Sequence, residues 1–149
     1  MENKKLHDRI RELEFKVEQF TRLNNRMETG QSKGMEYIKF ANGFMVAFGL
    51  TTWENIEFVE TESWYAGELS HKTLPNGFTK VLYTNATLYG GHPTEIRNHG
   101  TIGQLQKSER NSDSLPTDRI SKHSVLCSLP VPAENIFTVG YFAFGKWTD

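Results

Sequence analysis

Residues 3–27 read NKKLHDRIRELEFKVEQFTRLNNRM, and their apolar side chains recur at alternating spacings of four and three residues. In heptad terms, the seam consists of Asn3, Ile10, Val17 and Asn24 at position a and Leu6, Leu13, Phe20 and Met27 at position d. A helix with this period has a narrow apolar stripe, which is best buried against copies of the same helix. We therefore predict a coiled-coil stalk over residues 1–29 and, with it, an oligomer.

The charges beside the seam favour parallel chains. Arg9 at position g faces Glu14 at position e of a neighbouring parallel chain, so the pair stabilises that orientation. Branched side chains at a favour two strands, but the bulkier Phe20 and Met27 at d leave the number of strands open. The alternative is a single amphipathic helix that packs on its own chain.

The rest of the chain has the pattern of a β-rich head over residues 35–149, joined to the stalk by a glycine-containing hinge at residues 30–34. Asn42-Gly43 lies between two apolar runs and predicts a β-hairpin with a type I′ turn. Alternating or apolar stretches predict further strands at residues 55–61, 64–69, 78–89, 120–128 and 136–146. The last is apolar on both faces, so we expect it to lie centrally or against a neighbouring subunit.

Two polar stretches, residues 90–100 and 107–118, are expected to be loops because Gly, Asn, His, Ser, Pro and charged residues dominate them. Strands at this spacing without intervening helices indicate an antiparallel β-sandwich. The predicted fold class is thus mainly β, with an N-terminal coiled coil followed by a sandwich head.

Composition narrows the possible partners. The 149 residues carry a net charge of −1 and no apolar run long enough for a membrane span, so we expect neither nucleic acid binding nor membrane insertion, and the charged N-terminus is no signal peptide. Cys127 is the single cysteine, and its apolar neighbours predict a buried small side chain in a protein from a reducing compartment.

The sequence contains no recognised catalytic constellation, so we expect no enzyme, no catalytic residue, no metal site and no cofactor. The histidines His71, His92, His99 and His123 have no zinc-ligand spacing and are expected to be solvated. Glu60 and Glu62 fall on one strand face, where an acid–base pair is conceivable, but an acidic edge that discourages aggregation explains them as well.

Aromatic and hydrogen-bonding side chains occur together near the predicted strand ends, which is the composition of sugar-binding sites. For each ring, core packing is the alternative. Adjacent strand residues point to opposite faces, so one ring of the Trp64-Tyr65 pair is expected to be exposed. The candidate ligand-binding residues are Trp64, Tyr65, Tyr89, His92, Glu95, Arg97 and Asn98.

Three stretches carry a resemblance to a known group of proteins. The hairpin IKFANGFMVAFG at residues 38–49, the phrase LPNGF at 74–78 and the ending FTVGYFAFGKW at 137–147 resemble the C-terminal head domains of bacteriophage tail fibres and receptor-binding proteins. The chain departs from some fibre tips in lacking a His-x-His repeat, and the segment from residue 90 to 118 matches no motif of the group.

The resemblance implies a parallel homotrimer in the tail of a virion, produced in the host cytoplasm and associated with other tail proteins. It also implies a head that attaches to the bacterial host surface by binding carbohydrate or protein. Two alternatives remain: a structural fibre or baseplate connector that binds no sugar, and a fragment of a glycan-cleaving tailspike, which the lack of a repeat-built β-helix disfavours.

Overall fold

A computed structural model describes residues 2–25, 27–104 and 115–148 of the chain. In chain order the elements are α1 (Glu2–Asn25), β1 (Glu28–Ser32), β2 (Met35–Lys39), β3 (Phe44–Glu54), β4 (Phe58–Glu60), β5 (Tyr65–Leu69), β6 (Lys72–Thr73), β7 (Lys80–His92), α2 (Thr94–His99), β8 (Gly100–Gln104), β9 (Arg119–Ile120), β10 (His123–Cys127) and β11 (Ile136–Lys146). The prediction of a mainly β protein with an N-terminal helix is confirmed.

Helix α1 presents its apolar seam to solvent: Leu6, Ile10 and Leu13 are all exposed. It is the longest helix described, but it is not apolar enough to cross a membrane. The exposed seam agrees with the heptad pattern and leaves apolar surface on α1 uncovered by the described residues of this chain.

The junction between helix and head lies earlier than the sequence suggested. Strand β1 begins at Glu28 and pairs along its length with β2, so the predicted stalk limit at residue 29 and the hinge at residues 30–34 are wrong. Glu28 is held in the sheet by Lys39, whose Nζ lies 3.4 Å from its carboxylate, and by a hydrogen bond from the Tyr37 hydroxyl. Only Lys33 and Gly34 form the turn between β1 and β2, and both have positive φ.

The predicted hairpin between β2 and β3 is present, but its turn is not type I′. The Gly43 amide donates to Phe40 O at 3.0 Å, and the Phe40 amide donates to Phe44 O at 2.8 Å, which closes a three-residue loop. Only Gly43 has positive φ, +92°, whereas a type I′ turn requires it at Asn42 as well. Asn42 has negative φ, and its side-chain oxygen accepts a hydrogen bond from the Phe44 amide.

The larger sheet has five strands in the order β1-β2-β3-β11-β7, so the closing strand β11 is central, as predicted. Its long antiparallel pairings with β3 and β7 form the middle of the head. Strand β7 contains two bulges, at Leu82 and Tyr89, where its register against β11 shifts by one residue. The bulges break the regular alternation that the sequence predicted for this strand.

A second, four-stranded sheet has the order β4-β5-β10-β8, and a two-stranded sheet pairs β6 with β9. Side chains from the inner faces of both larger sheets meet in one core cluster, which contains Met45, Phe137 and Val139 from one sheet and Leu69, Val125 and Cys127 from the other. The burial of Cys127 confirms its prediction as a core residue. His123, expected to be solvated, is buried instead, with Nδ1 2.7 Å from Ser121 O.

The predicted loop at residues 90–100 is wrong, because this stretch contains the end of β7, helix α2 and the start of β8. The polar composition of this stretch predicted a loop, but one apolar side chain, Ile96, is fully buried and anchors the short helix. Of the other predicted loop, at 107–118, residues 107–114 lie outside the described part of the chain.

Candidate functional site

The head has two distinct ends. At the stalk end, the start of β1 at Glu28 lies in one row of paired residues with Lys39 and Met45. At the opposite end, Glu54 of β3, Ile136 of β11 and His92 of β7 form the last paired row of the five-stranded sheet. We call this opposite end the tip; it comprises residues 54–57, 61–64, 92–99 and 128–136. The tip is therefore the part of the head remote from α1.

A groove of about 350 Å³ opens at the tip, lined by Glu54, Asn55, His92, Glu134, Asn135 and Ile136. Directly paired strand residues point to the same face, so Glu54 and His92 flank the exposed side chain of Ile136. The two glutamates and the histidine are exposed, which leaves hydrogen-bonding atoms around a small apolar centre. Such a mixture suits a ligand with both hydroxyl groups and C–H surfaces.

Asn135 fixes the floor of this groove. Its side-chain Nδ2 donates to Ile56 O and to Pro132 O, both at 2.9 Å, and its Oδ1 accepts from the Ile56 amide at 3.0 Å. The Asn55 amide also donates to Asn135 O at 2.7 Å. Because Asn135 is almost completely buried, these bonds join the β3–β4 and β10–β11 loops into one rigid unit.

Helix α2 packs closely against the end of β7. A Cβ atom at Gly91 would collide with the Ile96 side chain, and one at Gly100 would collide with Ile96 O, so glycine is required at both flanks of the helix. The Ile96 amide donates to Pro93 O at 3.1 Å, and the peptide bond between His92 and Pro93 is cis. Arg97 and Asn98 of this helix are exposed.

A tight turn presents Trp64 on another part of the tip. The Thr61 hydroxyl donates to Trp64 O at 2.8 Å and accepts from the Trp64 amide at 3.1 Å, while the Thr61 amide donates to the same carbonyl at 2.7 Å. The turn is thus fixed by three bonds. The Trp64 side chain is nevertheless 43% exposed, as expected for a ring available to a ligand rather than used in the core.

The seven predicted site residues do not form one cluster in the structure. His92 lines the groove, and Arg97 and Asn98 lie on α2, which follows it in the chain. Glu95 also lies on α2, but its side chain is outside the described part of the structure. Trp64 is exposed at the tip, whereas Tyr65 is half-buried and packs against the core, so the prediction that only one ring of this pair is exposed is confirmed.

Tyr89 is the residue that the structure places elsewhere. It lies at a β7 bulge on the outward side of the five-stranded sheet, where its ring covers Gly140. Its surroundings are Phe48, Leu50 and Phe142 rather than the polar residues of the groove. Tyr89 was grouped with His92 because the two are close in the chain, but its ring lies over Gly140, four residues along β11 from the groove residue Ile136.

Five of the six groove residues are not among the candidates from the sequence: Glu54, Asn55, Glu134, Asn135 and Ile136. The stretch Pro130-Val131-Pro132 before them predicts an irregular segment at the start of the closing strand. Asn55 has φ +52°, a left-handed conformation that asparagine tolerates better than most residues. The turn-forming residues can be recognised in the sequence. That the two loops lie side by side cannot, because it depends on the order of the strands in the sheet.

The shifted titrating groups of the head lie away from the groove. Burial lowers the pKa of His123, and the hydrogen bond with Ser121 raises it by a smaller amount. Burial likewise raises the pKa of Tyr141, opposed by the hydrogen bond from the Trp53 indole, and lowers that of Lys72. Among the described residues, no group of three His, Cys, Asp or Glu side chains is arranged to hold a metal ion.

Comparisons with known proteins give a likeness in fold. No protein-family model and no curated protein matches the chain. An N-truncated R1-type pyocin tail fibre superposes with a TM-score of 0.50 at 14% identity, over 80% of this chain and 84% of that one. A C-terminal portion of the R1 pyocin fibre of P. aeruginosa gives a TM-score of 0.49 at 13% identity; the match covers 80% of this chain and 28% of that one.

Proposed function

We propose that the chain is a subunit of a tail fibre or baseplate of a bacteriophage or a related particle, and that its tip contacts the surface of a host bacterium. The observation that carries this proposal is the position of the groove, at the end of the head remote from α1. A stalk attached at one end of a head leaves the other end free to reach a surface. The likeness in fold to a pyocin tail fibre supports the same assignment.

The stalk in this proposal is a parallel homotrimer of α1. The exposed seam residues Leu6, Ile10 and Leu13 need burial that a single helix does not provide, and Arg9 with Glu14 favours parallel chains. Three strands are proposed because Phe20 at d, and Phe15 outside the seam, add apolar bulk beyond what a two-stranded seam covers.

The proposed ligand is carbohydrate of the bacterial envelope, bound without catalysis. Carboxylates of Glu54 and Glu134 accept hydrogen bonds from sugar hydroxyls, His92 donates or accepts, and the Ile136 side chain contacts C–H surfaces. Trp64 adds a ring on which a sugar face stacks. The six-residue groove is open and shallow, which suits a weak individual site.

Three tips on one stalk raise the strength of attachment without stronger single sites. Once one tip binds, the others search the same surface at an effective concentration in roughly the millimolar range, and avidity then exceeds single-site affinity by about 10²–10⁴-fold. This gain is the physical reason to join a weakly binding head to an oligomeric stalk in a virion tail.

Binding of fluorescently labelled protein to a panel of bacterial strains, with and without their purified surface polysaccharide as competitor, tests the proposal. Glu54→Gln and Trp64→Ala should weaken binding to a responsive strain, because each removes a ligand contact and neither side chain is buried. Val59→Ala is the control, since Val59 is also exposed, on the edge strand β4, but does not line the groove.

Three results would contradict the proposal. If no strain binds the unmutated protein, the head serves as a structural connector between virion proteins. If binding occurs but Glu54→Gln, Trp64→Ala and Val59→Ala all leave it unchanged, the binding site is not at the tip. If binding is not reduced by the polysaccharide of the same strain, the receptor is a surface protein instead of a glycan.

A further inference from the structure

The outward side of the five-stranded sheet carries most of the large hydrophobic side chains that the described part of the head leaves exposed. On β3, β11 and β7, the outward positions between the two end rows carry no charge: Val46, Phe48, Leu50 and Thr52; Thr138, Gly140, Phe142 and Phe144; and Tyr83, Asn85 and Thr87, together with the bulged Tyr89. We call this surface the outer face. A charge-free face of this composition is characteristic of a buried interface.

Several aromatic rings on and beside the outer face contact one another, although Tyr83 and Tyr89 remain 54% and 70% exposed. Phe44 stacks on Phe144 with ring centroids 5.4 Å apart, and Tyr83 meets Phe142 at 6.3 Å. The Tyr89 ring lies on Gly140. The face is therefore a formed surface with fixed side chains, so a partner would bind it without a large loss of side-chain entropy.

Leu50 and Phe48 form a ridge on this face. They line a groove of about 570 Å³ towards β1 and another of about 420 Å³ towards β7, so one groove lies on each side of them. Leu50 is 63% exposed. A surface that contains both a ridge and adjacent grooves is able to pack against another copy of itself.

We propose that the outer face is covered by the heads of neighbouring copies of the same chain, so that the assembly continues from the stalk into the head. This inference rests on the association of α1 in the proposed function. Only two residues separate α1 from β1, so the helix end and the sheet are at most about 11 Å apart. Helices in a bundle pack roughly 8–10 Å apart, so the stalk holds the sheets of neighbouring chains beside one another.

A neighbouring copy that covers the outer face also changes the groove at the tip. The last row of the outer face is formed by Glu54, Ile136 and His92, which are also groove residues. A neighbour that covers Leu50 and Tyr89 therefore reaches the open side of the groove and contributes a wall to it. On this view, each ligand site is complete only in the assembled head.

The test is the rate at which a thiol reagent labels single cysteines in the folded, full-length protein. Leu50→Cys reports on the outer face, and Val59→Cys is the control, because the two side chains are 63% and 59% exposed in the single chain. The native Cys127 is fully buried and contributes little background. Thr87→Cys, a near-isosteric change on the same face, is a second reporter if Leu50→Cys fails to fold.

We expect Leu50→Cys and Thr87→Cys to label roughly tenfold or more slowly than Val59→Cys, because a neighbouring copy must open first. In a background with Ile10→Asp and Leu13→Asp, which separates the stalk, all the cysteines should label at the same fast rate.

Equal fast labelling in a protein that light scattering shows to be oligomeric would overturn this inference and leave the proposed function intact. A monomeric unmutated protein would overturn both. Slow labelling of Leu50→Cys that persists in the monomeric background would also overturn the inference, because the protection would then come from the chain itself.

Discussion

The two sides of strand β11 differ in how completely this chain buries them. Phe137, Val139, Tyr141 and Ala143 point inward and are all buried. Thr138, Gly140, Phe142 and Phe144 point outward, and Phe142 remains 36% exposed although its strand lies in the middle of the sheet. Both sides are apolar in sequence, so hydrophobicity alone does not tell which one the chain covers with its own residues.

The same contrast holds between the head and the stalk. The core of the head is completed by two sheets and α2, whereas the seam of α1 and the outer face are left open. Surfaces of the first kind stabilise the fold of one chain. Surfaces of the second kind stabilise an assembly, and their contribution depends on protein concentration.

The largest expected effect follows from truncating the inward side of β11. Phe137→Ala should lower the free energy of unfolding by about 3–5 kcal/mol, because it leaves a cavity in the shared core. Chemical denaturation followed by circular dichroism measures this loss. The loss should be the same at every protein concentration at which the chain is assembled. A loss under about 1 kcal/mol would show that the inner face is not tightly packed.

Phe142→Ala, five residues along the same strand, tests the outward side of β11. Its effect should depend on protein concentration, because the side chain is proposed to meet a neighbouring copy. Thermal melts at several protein concentrations should show a larger loss for Phe142→Ala at low concentration than at high concentration. Identical losses at all concentrations would place Phe142 within the fold of the single chain.

Asn135→Ala tests whether the tip is held rigid by one side chain. Loss of three buried hydrogen bonds should cost about 1–3 kcal/mol, because backbone groups of Ile56 and Pro132 lose their partner. Denaturant titration measures the cost, and cell binding should fall as the loops separate. Unchanged stability would show that water replaces the side chain and that Asn135 is not a clamp.

The sequence predicted the helix, the hairpin and the central closing strand, because periodicity and turn residues are local signals. It missed α2, since one buried side chain, Ile96, anchors a helix that is otherwise polar. The candidate site was half predictable. Trp64 and His92 were candidates because of their ring and hydrogen-bonding groups, and both lie at the tip. Glu54 and Glu134 line one groove only because β3 and β11 are neighbours. Tyr89 was misplaced because its ring lies over Gly140, a position that its closeness to His92 in the chain does not show.

A smaller effect is expected from pH. Burial lowers the pKa of His123 in the folded head, so below about 6.5 the unfolded chain takes up a proton that the folded chain does not. Stability should therefore be full above this pH and decline below it. Melting temperatures measured across this range should show the decline, and His123→Gln should reduce it.

The smallest effect on stability is expected at the tip. Trp64→Ala should change the free energy of unfolding by less than about 0.5 kcal/mol, because the exposed ring adds little to the core. Its effect on cell binding should be the larger one. A loss of stability as large as that of Phe137→Ala would assign Trp64 to the core and remove it from the site.

Copies of this chain are proposed to cover the apolar surfaces that one chain leaves open. Multi-angle light scattering of the purified, unmutated protein tests it most directly. The expected molar mass is three times the 17.1 kDa of one chain, and it should fall to the mass of one chain when Ile10 and Leu13 are both changed to Asp. A mass of one chain for the unmutated protein at micromolar concentration would contradict it.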